Sequence, residues 1–186
     1  MAVRWLRDQQ GVAAVEMALI LPILVLMIVG MSETVDMMMV DQKVTTMTNT
    51  TADLVSRVAK IDNQGLNDVF AATQAIIQPF PTTGLSIKLT SINKNSSNQV
   101  KVHWSAATTG TTPYTKGANY TKALPTGVLG TNDFVIMAEI TYSYAGPSTD
   151  FIIGPSTLTS TYYSKPRRSR SVLRCDNLSL SAPTCY

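Results

Sequence analysis

One carboxylate, Glu16, stands inside the most apolar stretch of the chain, which runs from Gly11 to Met31 as GVAAVEMALILPILVLMIVGM. About 20 residues at 1.5 Å each make a helix of roughly 30 Å, which is the thickness of the hydrocarbon core of a membrane. An ionisable group is expensive to keep there, so we expect Glu16 to have a partner and a task. The simpler alternative is that Glu16 lies close enough to the headgroups to reach water unaided.

Gly11 directly precedes the apolar run, and Glu16 is the fifth residue after it when Val12 is counted as the first. Cutting the bond between Gly11 and Val12 would free an amino group about 6 Å along the helix from Glu16. This separation is too long for a close ion pair within one chain but suits a neighbouring helix that is shifted along a bundle. A pair of unit charges near 4 Å is worth about 4 kcal/mol at an effective dielectric constant of 20, which offsets part of the cost of the buried carboxylate.

The two ends of the apolar run differ in charge. Arg4 and Arg7 precede it, whereas three acids come before the first lysine that follows it, Lys43. Because Lys and Arg stay on the cytoplasmic side, we expect the N-terminus inside and the chain after about residue 32 outside. Three interpretations stay open: a permanent signal anchor, a leader cut after Gly11, and a secretory signal peptide cut after Gly30-Met31-Ser32.

No group of residues in the sequence predicts catalysis, and we expect a protein that is not an enzyme. His103, the only histidine, alternates with apolar neighbours beside Trp104 and is expected to be a surface or packing residue. The acids are dispersed, no glycine-rich phosphate loop occurs, and no Ser or Cys has a visible base partner. We therefore expect no metal and no cofactor. The net charge of +3 over 186 residues does not indicate a basic surface that binds nucleic acid.

Two further groups of reactive or charged residues lie near the C-terminus. Cys175 and Cys185 fall in the part that is predicted to lie outside the cytoplasm, where an oxidising compartment would let them pair. They close a short loop, so a disulfide would contribute a little under ~3 kcal/mol in the chain-entropy picture. A basic cluster could face a phosphate, a lipid headgroup or an acidic partner, or it could bridge to the domain's own acids. Its members are Arg167, Arg168, Arg170 and Arg174.

The elements that position these residues begin with a long helix. No Pro or Gly occurs between Ser32 and Lys60, so we predict one helix from about residue 12 to 60. Pro22 removes one helical hydrogen bond and predicts a local kink. An apolar stripe at alternating spacings of four and three lies on one face, and it could pack on the protein's own domain or on another subunit. The stripe comprises Val40, Val44, Met47, Thr51, Leu54, Val58 and Ile61.

The remaining chain predicts a small mixed domain. Asp62 to Gly65 is expected to be a helix stop and turn, and residues 66–77 a second short helix. Alternating patterns predict a hairpin around residues 85–89 and 100–104, a long strand over 134–144 and a weaker one near 158–162. The loop over 107–130 is expected either to make a contact or to be mobile.

These elements predict an α+β fold: a long N-terminal helix carries a small antiparallel β-sheet domain, with the outline of a type IV pilin. The expected divisions are a leader over residues 1–11, a membrane and assembly helix over 12–31, a helical extension over 32–61 and a globular domain over 62–186. The globular domain includes the cysteine-closed tail.

The head, GVAAVEMALILPILVLMIVG, resembles that of the TadE-like family, pseudopilins of the tight-adherence (Tad or Flp) pilus system. The tail resembles the same family, with an aromatic strand over residues 140–144, the run Lys165-Pro166-Arg167-Arg168 at the place of an Arg-Pro-Arg-like motif, and the terminal cysteine pair. Two residues depart from the family pattern. Met17 stands where an aromatic residue is usual, and Lys165 replaces an Arg and lacks its two-pronged geometry. Residues 65 to 130 carry no family motif.

The resemblance implies that a membrane prepilin peptidase cuts between Gly11 and Val12 and that Glu16 then sets the register between subunits. It implies a minor pilin that supports pilus biogenesis and adhesion. Its partners would be the prepilin peptidase, other pilins or pseudopilins and the inner membrane. The protein would start in the bacterial inner membrane and end in the pilus or at the cell surface. A role like that of TadF, a sister pseudopilin, stays open. The main alternative is an unprocessed, single-pass anchor for an extracytoplasmic binding or sensory domain.

Overall fold

A computed structural model of the protein describes residues 9–145, 154–179 and 183–186, with side chains from residue 11 onwards. The described residues form a long N-terminal helix, a short helix and a small antiparallel sheet, which confirms the predicted α+β fold. The elements are α1 (Gln9–Ser56), β1 (Lys60–Ile61), α2 (Asn63–Ile76), β2 (Leu85–Lys94), β3 (Val100–Ala107), β4 (Phe134–Tyr144), β5 (Ser156–Ser164) and β6 (Leu173–Arg174).

The chain divides into two compact units, and α1 contributes to both. One unit comprises Met1–Met39 with Ala145–Pro155, and the other comprises Val40–Tyr144 with Ser156–Tyr186. The second unit contains all six strands and α2, so it holds the hydrophobic core of the molecule.

The main sheet has four antiparallel strands in the order β3-β2-β4-β5. Strand β2 forms the predicted hairpin with β3, with one irregularity in register between Ser91 and Ile92. On its other side β2 pairs with β4, where Ile87 lies opposite Ile140. Strands β1 and β6 form a separate parallel pair, in which Lys60 lies opposite Leu173. The weak strand expected near residues 158–162 is β5, which forms one edge of the main sheet and is longer than its sequence pattern suggested.

One face of the sheet is covered by the long connection between β3 and β4. Its side chains pack on a buried cluster that includes Val102 and Met137. The apolar residues of this connection recur with neither the period of a strand nor that of a helix, so the sequence did not predict that they would be buried on the sheet. The cover consists of Tyr114, Tyr120, Leu124, Val128 and Leu129.

The opposite face of the sheet holds several of the largest buried side chains, among them Ile87, Ile140 and Trp104. The indole nitrogen of Trp104 donates to the carbonyl of Val172 at 2.7 Å, which satisfies the one polar group of that side chain. Tyr162 lies opposite Ala138 on this face and lines a surface groove together with residues of α1. The second half of α1 therefore lies beside this face.

The buried side of α1 differs from the predicted stripe. Val40, Val44 and Met47 are buried as expected, but Leu54 is 37% exposed and Val55 is fully buried in its place. Residues four apart on a helix are rotated by about 40° relative to each other. Burial here follows pairs four apart, 47/48, 51/52 and 55/56, so the buried line winds around the helix, as it does where a packing partner crosses at an angle.

The segment that follows α1 also differs from expectation. Helix α1 ends at Ser56, and Asp62 caps α2 by accepting a hydrogen bond from the backbone N–H of Gly65 at 2.9 Å. The expectation of a turn over residues 62–65 was wrong, because Asp is a favoured N-cap and residues 63–65 are the first helical turn. The two helices meet through a buried hydrogen bond of 2.7 Å between the hydroxyls of Thr51 and Thr73.

Candidate assembly helix and tail motif

The segment of α1 from Val12 to Met31 exposes apolar side chains in every direction. Apart from Val29, which is half-buried, each of its large apolar residues is at least 46% exposed, from Leu26 at 46% to Leu19 at 68%. A helix that is apolar on all sides needs an apolar environment, either a protein core or a membrane. By length and composition, this helix can cross a membrane. The segment therefore needs surroundings that the described part of the chain does not supply.

Glu16 lies within this apolar segment and is exposed. Among the residues that the structure describes, none forms an ion pair or a side-chain hydrogen bond with its carboxylate. In lipid, a carboxylate without a partner is costly, whereas a cation from a neighbouring chain would offset that cost. Glu16 can therefore act as a selective contact between helices.

Gly11 and Val12 both lie inside α1, which begins at Gln9. A Cβ atom added at Gly11 would meet no atom within 4 Å. Neither packing nor a left-handed backbone therefore requires glycine at this position in the structure. This leaves recognition by another molecule as a reason for glycine here, and the predicted cleavage itself stays a proposal.

The cysteine pair closes the tail against the short parallel sheet. The sulfurs of Cys175 and Cys185 lie 2.01 Å apart. The backbone N–H of Cys175 donates to the carbonyl of Ile61 at 2.9 Å, and Arg174 and Tyr186 exchange two backbone hydrogen bonds of 2.9 Å. The pairing thus fastens the chain end to the segment between the helices. Oxidation of the pair in the cell stays a prediction.

The tail motif binds mainly to the domain's own acids, which was one of the alternatives left open by the sequence. The ammonium of Lys165 lies 2.6 Å from the Asp133 carboxylate and holds the pKa of that carboxyl below its usual value. The guanidinium of Arg167 lies 2.6 Å from Asp53, and its backbone N–H donates to the carbonyl of Ser56 at 2.8 Å. These contacts tie the exit of β5 to the end of α1.

The other arginines of the cluster are divided between bound and free positions. Arg170 donates to the carbonyl of Asn132 at 2.6 Å, and Arg174 donates to the side chain of Asn63 and to the carbonyl of Cys175. Pro166 is half-buried, whereas Arg168 is exposed, and among the described residues it has no ion-pair partner. The cluster is therefore mostly structural, and Arg168 alone is fully available.

Sequence reasoning missed the acids that receive these cations. Asp53 and Asp133 are isolated in sequence, and no spacing rule connects them to a motif more than 30 residues later. Asp62 is a further such group: the backbone N–H groups of Gly65 and Leu178 donate to its carboxylate and lower its pKa. A signal existed only for Asp62, since Asp before a helical pattern indicates an N-cap.

Two polar groups on the sheet have structural contacts of their own. The carboxylate of Glu139 lies 2.6 Å from the ammonium of Lys122 and raises the pKa of that lysine. This ion pair joins the connection between β3 and β4 to the sheet. His103 packs edge-on against Phe134 at 5.2 Å between ring centres, and burial lowers its pKa. Within the described ranges, no group of three His, Cys, Asp or Glu side chains is placed to hold a metal ion.

Comparison with known proteins gives a family match over most of the first helix. The family model described as TadE-like protein matches residues 11–53. The matched range includes the apolar segment and most of the buried half of α1. No curated protein and no solved structure matches the chain. The predicted resemblance to the TadE-like family is confirmed by this match over the first helix, whereas the outline of a type IV pilin stays a proposal.

Proposed function

We propose that this TadE-like protein is a minor pilin, or pseudopilin, that assembles through its N-terminal helix in a Tad-type pilus. The observation that carries the proposal is Glu16, an exposed carboxylate in a helix segment that is apolar on all sides and matches the TadE-like family. Lipid can cover the apolar side chains of such a segment, but lipid tails offer the carboxylate no partner, whereas a cation does. A neighbouring subunit provides both an apolar surface and a cation.

The cation in this proposal is the new amino group at Val12. A prepilin peptidase removes residues 1–11, and the freed amine of one subunit pairs with Glu16 of the next. Because the two groups lie about 6 Å apart along one helix, the pairing fixes a longitudinal shift between neighbouring helices. The register between subunits is thereby set by one ion pair, and apolar packing adds the rest of the association energy.

The compact unit from Val40 onwards then serves as the extracytoplasmic part of the subunit, in an arrangement like that of a type IV pilin. The protein resides first in the inner membrane, with its N-terminus in the cytoplasm, and after processing in the pilus or at the cell surface. Other pilins or pseudopilins and the prepilin peptidase are its partners, and its contribution to adhesion is structural. The TadE-like family supports a structural role in preference to a catalytic one.

Replacing Glu16 with Gln tests this mechanism. The variant is expected to insert into the membrane as the parent does but to be lost from pili, as measured by fractionation of membranes and sheared filaments. Glu16→Asp should retain part of the incorporation because the charge is kept. Asp41→Asn removes an exposed acid from the same helix outside the apolar segment and is the matched control. Piliation that is unchanged in Glu16→Gln would contradict the mechanism.

A further inference from the structure

The two edges of the four-stranded sheet are treated differently. On the β3 edge, the backbone groups of Val100 and Val102 are paired with the segment over residues 117–120. Val102 donates to the carbonyl of Ala118 at 2.9 Å and accepts from Gly117 at 2.7 Å, and Val100 accepts from Tyr120 at 2.8 Å. The first part of this edge is therefore covered by the chain itself.

Strand β5 forms the other edge and carries no comparable protection. It pairs with β4 without a shift in register, from Ser156 opposite Tyr144 to Ser164 opposite Ile136. Among the described residues, none makes a backbone hydrogen bond to the outer side of β5. Its sequence, STLTSTYYS, contains no charge, proline or glycine. Natural sheet edges are usually blunted by charges, prolines, bulges or a covering segment, and β5 has none of these within the described chain.

With respect to the described residues, the outer side of β5 is therefore a row of backbone donors and acceptors without partners. Nine residues at about 3.4 Å each give an edge of roughly 30 Å. Alternate residues of an edge strand point their N–H and C=O groups outward, so four or five residues of β5 can bind a further strand. Only an extended backbone matches that spacing.

A groove of about 480 Å³ lies beside the C-terminal half of this strand. Tyr162 and Leu54 provide exposed apolar surface in it, at 43% and 37% exposure. The other lining residues are Asn49, Thr50, Asp53, Arg57 and Arg167.

The charges of this groove do not balance. Arg57 and Arg167 lie 2.5 Å and 2.6 Å from the two oxygens of Asp53, so two cations share one carboxylate. Both arginine side chains are more than 60% exposed. A guanidinium has five N–H donors, and most of these are free for an additional acceptor. The groove therefore favours an acidic group, and Arg binds carboxylates through two parallel hydrogen bonds.

We propose that β5 is a docking strand, which accepts an extended, acidic segment of another protein as a fifth strand of the sheet. The incoming backbone pairs with the free edge, one of its carboxylates binds Arg57 and Arg167, and an apolar side chain rests on Tyr162 and Leu54. This is recognition by strand addition, in which the backbone supplies affinity and side-chain pockets supply selectivity. A second copy of β5 matches the groove poorly because β5 has no acid.

The interface is independent of assembly through the apolar helix, since it lies entirely within the unit that begins at Val40. Its test uses the full-length protein in detergent micelles and fluorescent nine-residue peptides of alternating Thr and Val. Two peptides carry a pair of Glu residues, at one end or the other, because the direction of the added strand is not set. Matched peptides carry Lys instead of Glu. Others have N-methyl groups on alternate amides, which remove the donors needed for strand pairing.

We expect one of the acidic peptides to bind at least about tenfold more tightly than its Lys counterpart, since charge complementarity selects the partner. N-methylation of one set of alternate amides should abolish binding, and binding should slow the hydrogen exchange of β5 amides. Equal binding of the acidic and basic peptides, or no effect of either N-methylated set, would overturn the proposal. Failure of both acidic peptides to bind at about 1 mM, an affinity of only about 4 kcal/mol, would also overturn it.

Variants identify the groove as the site. Arg57→Gln and Arg167→Gln should each lower the affinity for the acidic peptide by about tenfold, as expected for the loss of a charge-assisted hydrogen bond. Arg168→Gln removes a nearby exposed arginine that lies outside the groove and should leave binding unchanged. Thermal unfolding of each variant checks that the domain is intact. Equal weakening by all three substitutions would point to general attraction, and concentration-dependent self-association through β5 would point to a second copy. Either result contradicts the proposed acidic partner.

Discussion

The two halves of helix α1 differ both in apolar content and in surroundings. From Val12 to Met31 the large apolar side chains other than Val29 are exposed. From Val40 to Ser56 one side is buried, and the opposite side, with residues such as Asp41 and Asn49, is exposed. The comparison shows that the number of apolar residues and their distribution around a helix together indicate what the helix packs against. The second half is satisfied by its own domain, whereas the first half depends on lipid or on other subunits.

The largest expected contrast is between two methionines, one in each half. Met47 is fully buried and Met27 is 57% exposed. Met47→Ala should lower the free energy of unfolding of the domain by about 3 kcal/mol, through lost transfer energy and a cavity. Met27→Ala should leave it unchanged. Denaturant unfolding, followed by Trp104 fluorescence in a Trp5→Phe background, measures both variants. A similar loss in the two variants would remove the distinction between the halves.

A smaller contrast is expected between two threonines with the same local geometry. Thr34 and Thr51 both donate to the carbonyl four residues earlier, at 2.7 Å and 2.6 Å. Only Thr51 also shares a buried hydrogen bond with Thr73. Thr51→Val should therefore destabilise the domain by about 1 kcal/mol, since a buried polar group loses its partner.

Thr34→Val is the control for this substitution because Thr34 is exposed and its hydrogen bond is local. The same unfolding measurement should show no change for it. If Thr34→Val destabilised the domain as much as Thr51→Val, then helix propensity would explain both effects and the pairing of α1 with α2 would not.

The smallest expected effect is a pH dependence that belongs to the second unit alone. Burial lowers the pKa of His103 below its ordinary value of 6.5. The unfolded chain therefore takes up the proton first as pH falls, and stability is lost as the pH falls below about 6.5 toward the folded pKa. His103→Gln should flatten the stability profile between about pH 7 and 5.

The corresponding substitution in the first half, Glu16→Gln, should leave that profile unchanged, because Glu16 is exposed and belongs to the other compact unit. Stability measured by denaturant unfolding at a series of pH values tests the two variants together. A profile that is flattened by Glu16→Gln and not by His103→Gln would reverse the comparison. At lower pH, Asp62 and Asp133 should dominate in both variants, since their lowered pKa values make stability fall as they are protonated below 3.8.

The sequence predicted the parts of the fold that follow a simple period. The alternation around Ile136 and Ile140 predicted β4, and the absence of Pro and Gly after Ser32 predicted the long helix. Leu54 was wrongly predicted to be buried. Alternating spacings of four and three assume a packing partner that runs parallel to the helix, whereas the line of buried residues winds around α1. The cover over the sheet, with Tyr114 and Tyr120, was missed because its burial depends on tertiary contacts and on no local period.

The candidate site was predicted unevenly for a similar reason. Glu16 is conspicuous in sequence because a carboxylate interrupts an apolar run. The cations of the tail were also visible, but their partners Asp53 and Asp133 lie far away in the chain, and only the fold brings them together. The open edge at β5 follows from the order of the strands in the sheet. The alternation of residues within one strand does not predict that order.

The most direct measurement of the central claim is the N-terminal residue of the mature protein, obtained by intact-mass analysis of the form isolated from membranes and pili. Assembly through Glu16 and a freed amine predicts a chain that begins at Val12. A functional chain that still begins at Met1 and retains Arg4 and Arg7 would contradict the account and support a permanent anchor. A chain that begins at Glu33 would contradict it as well and indicate secretion by signal peptidase.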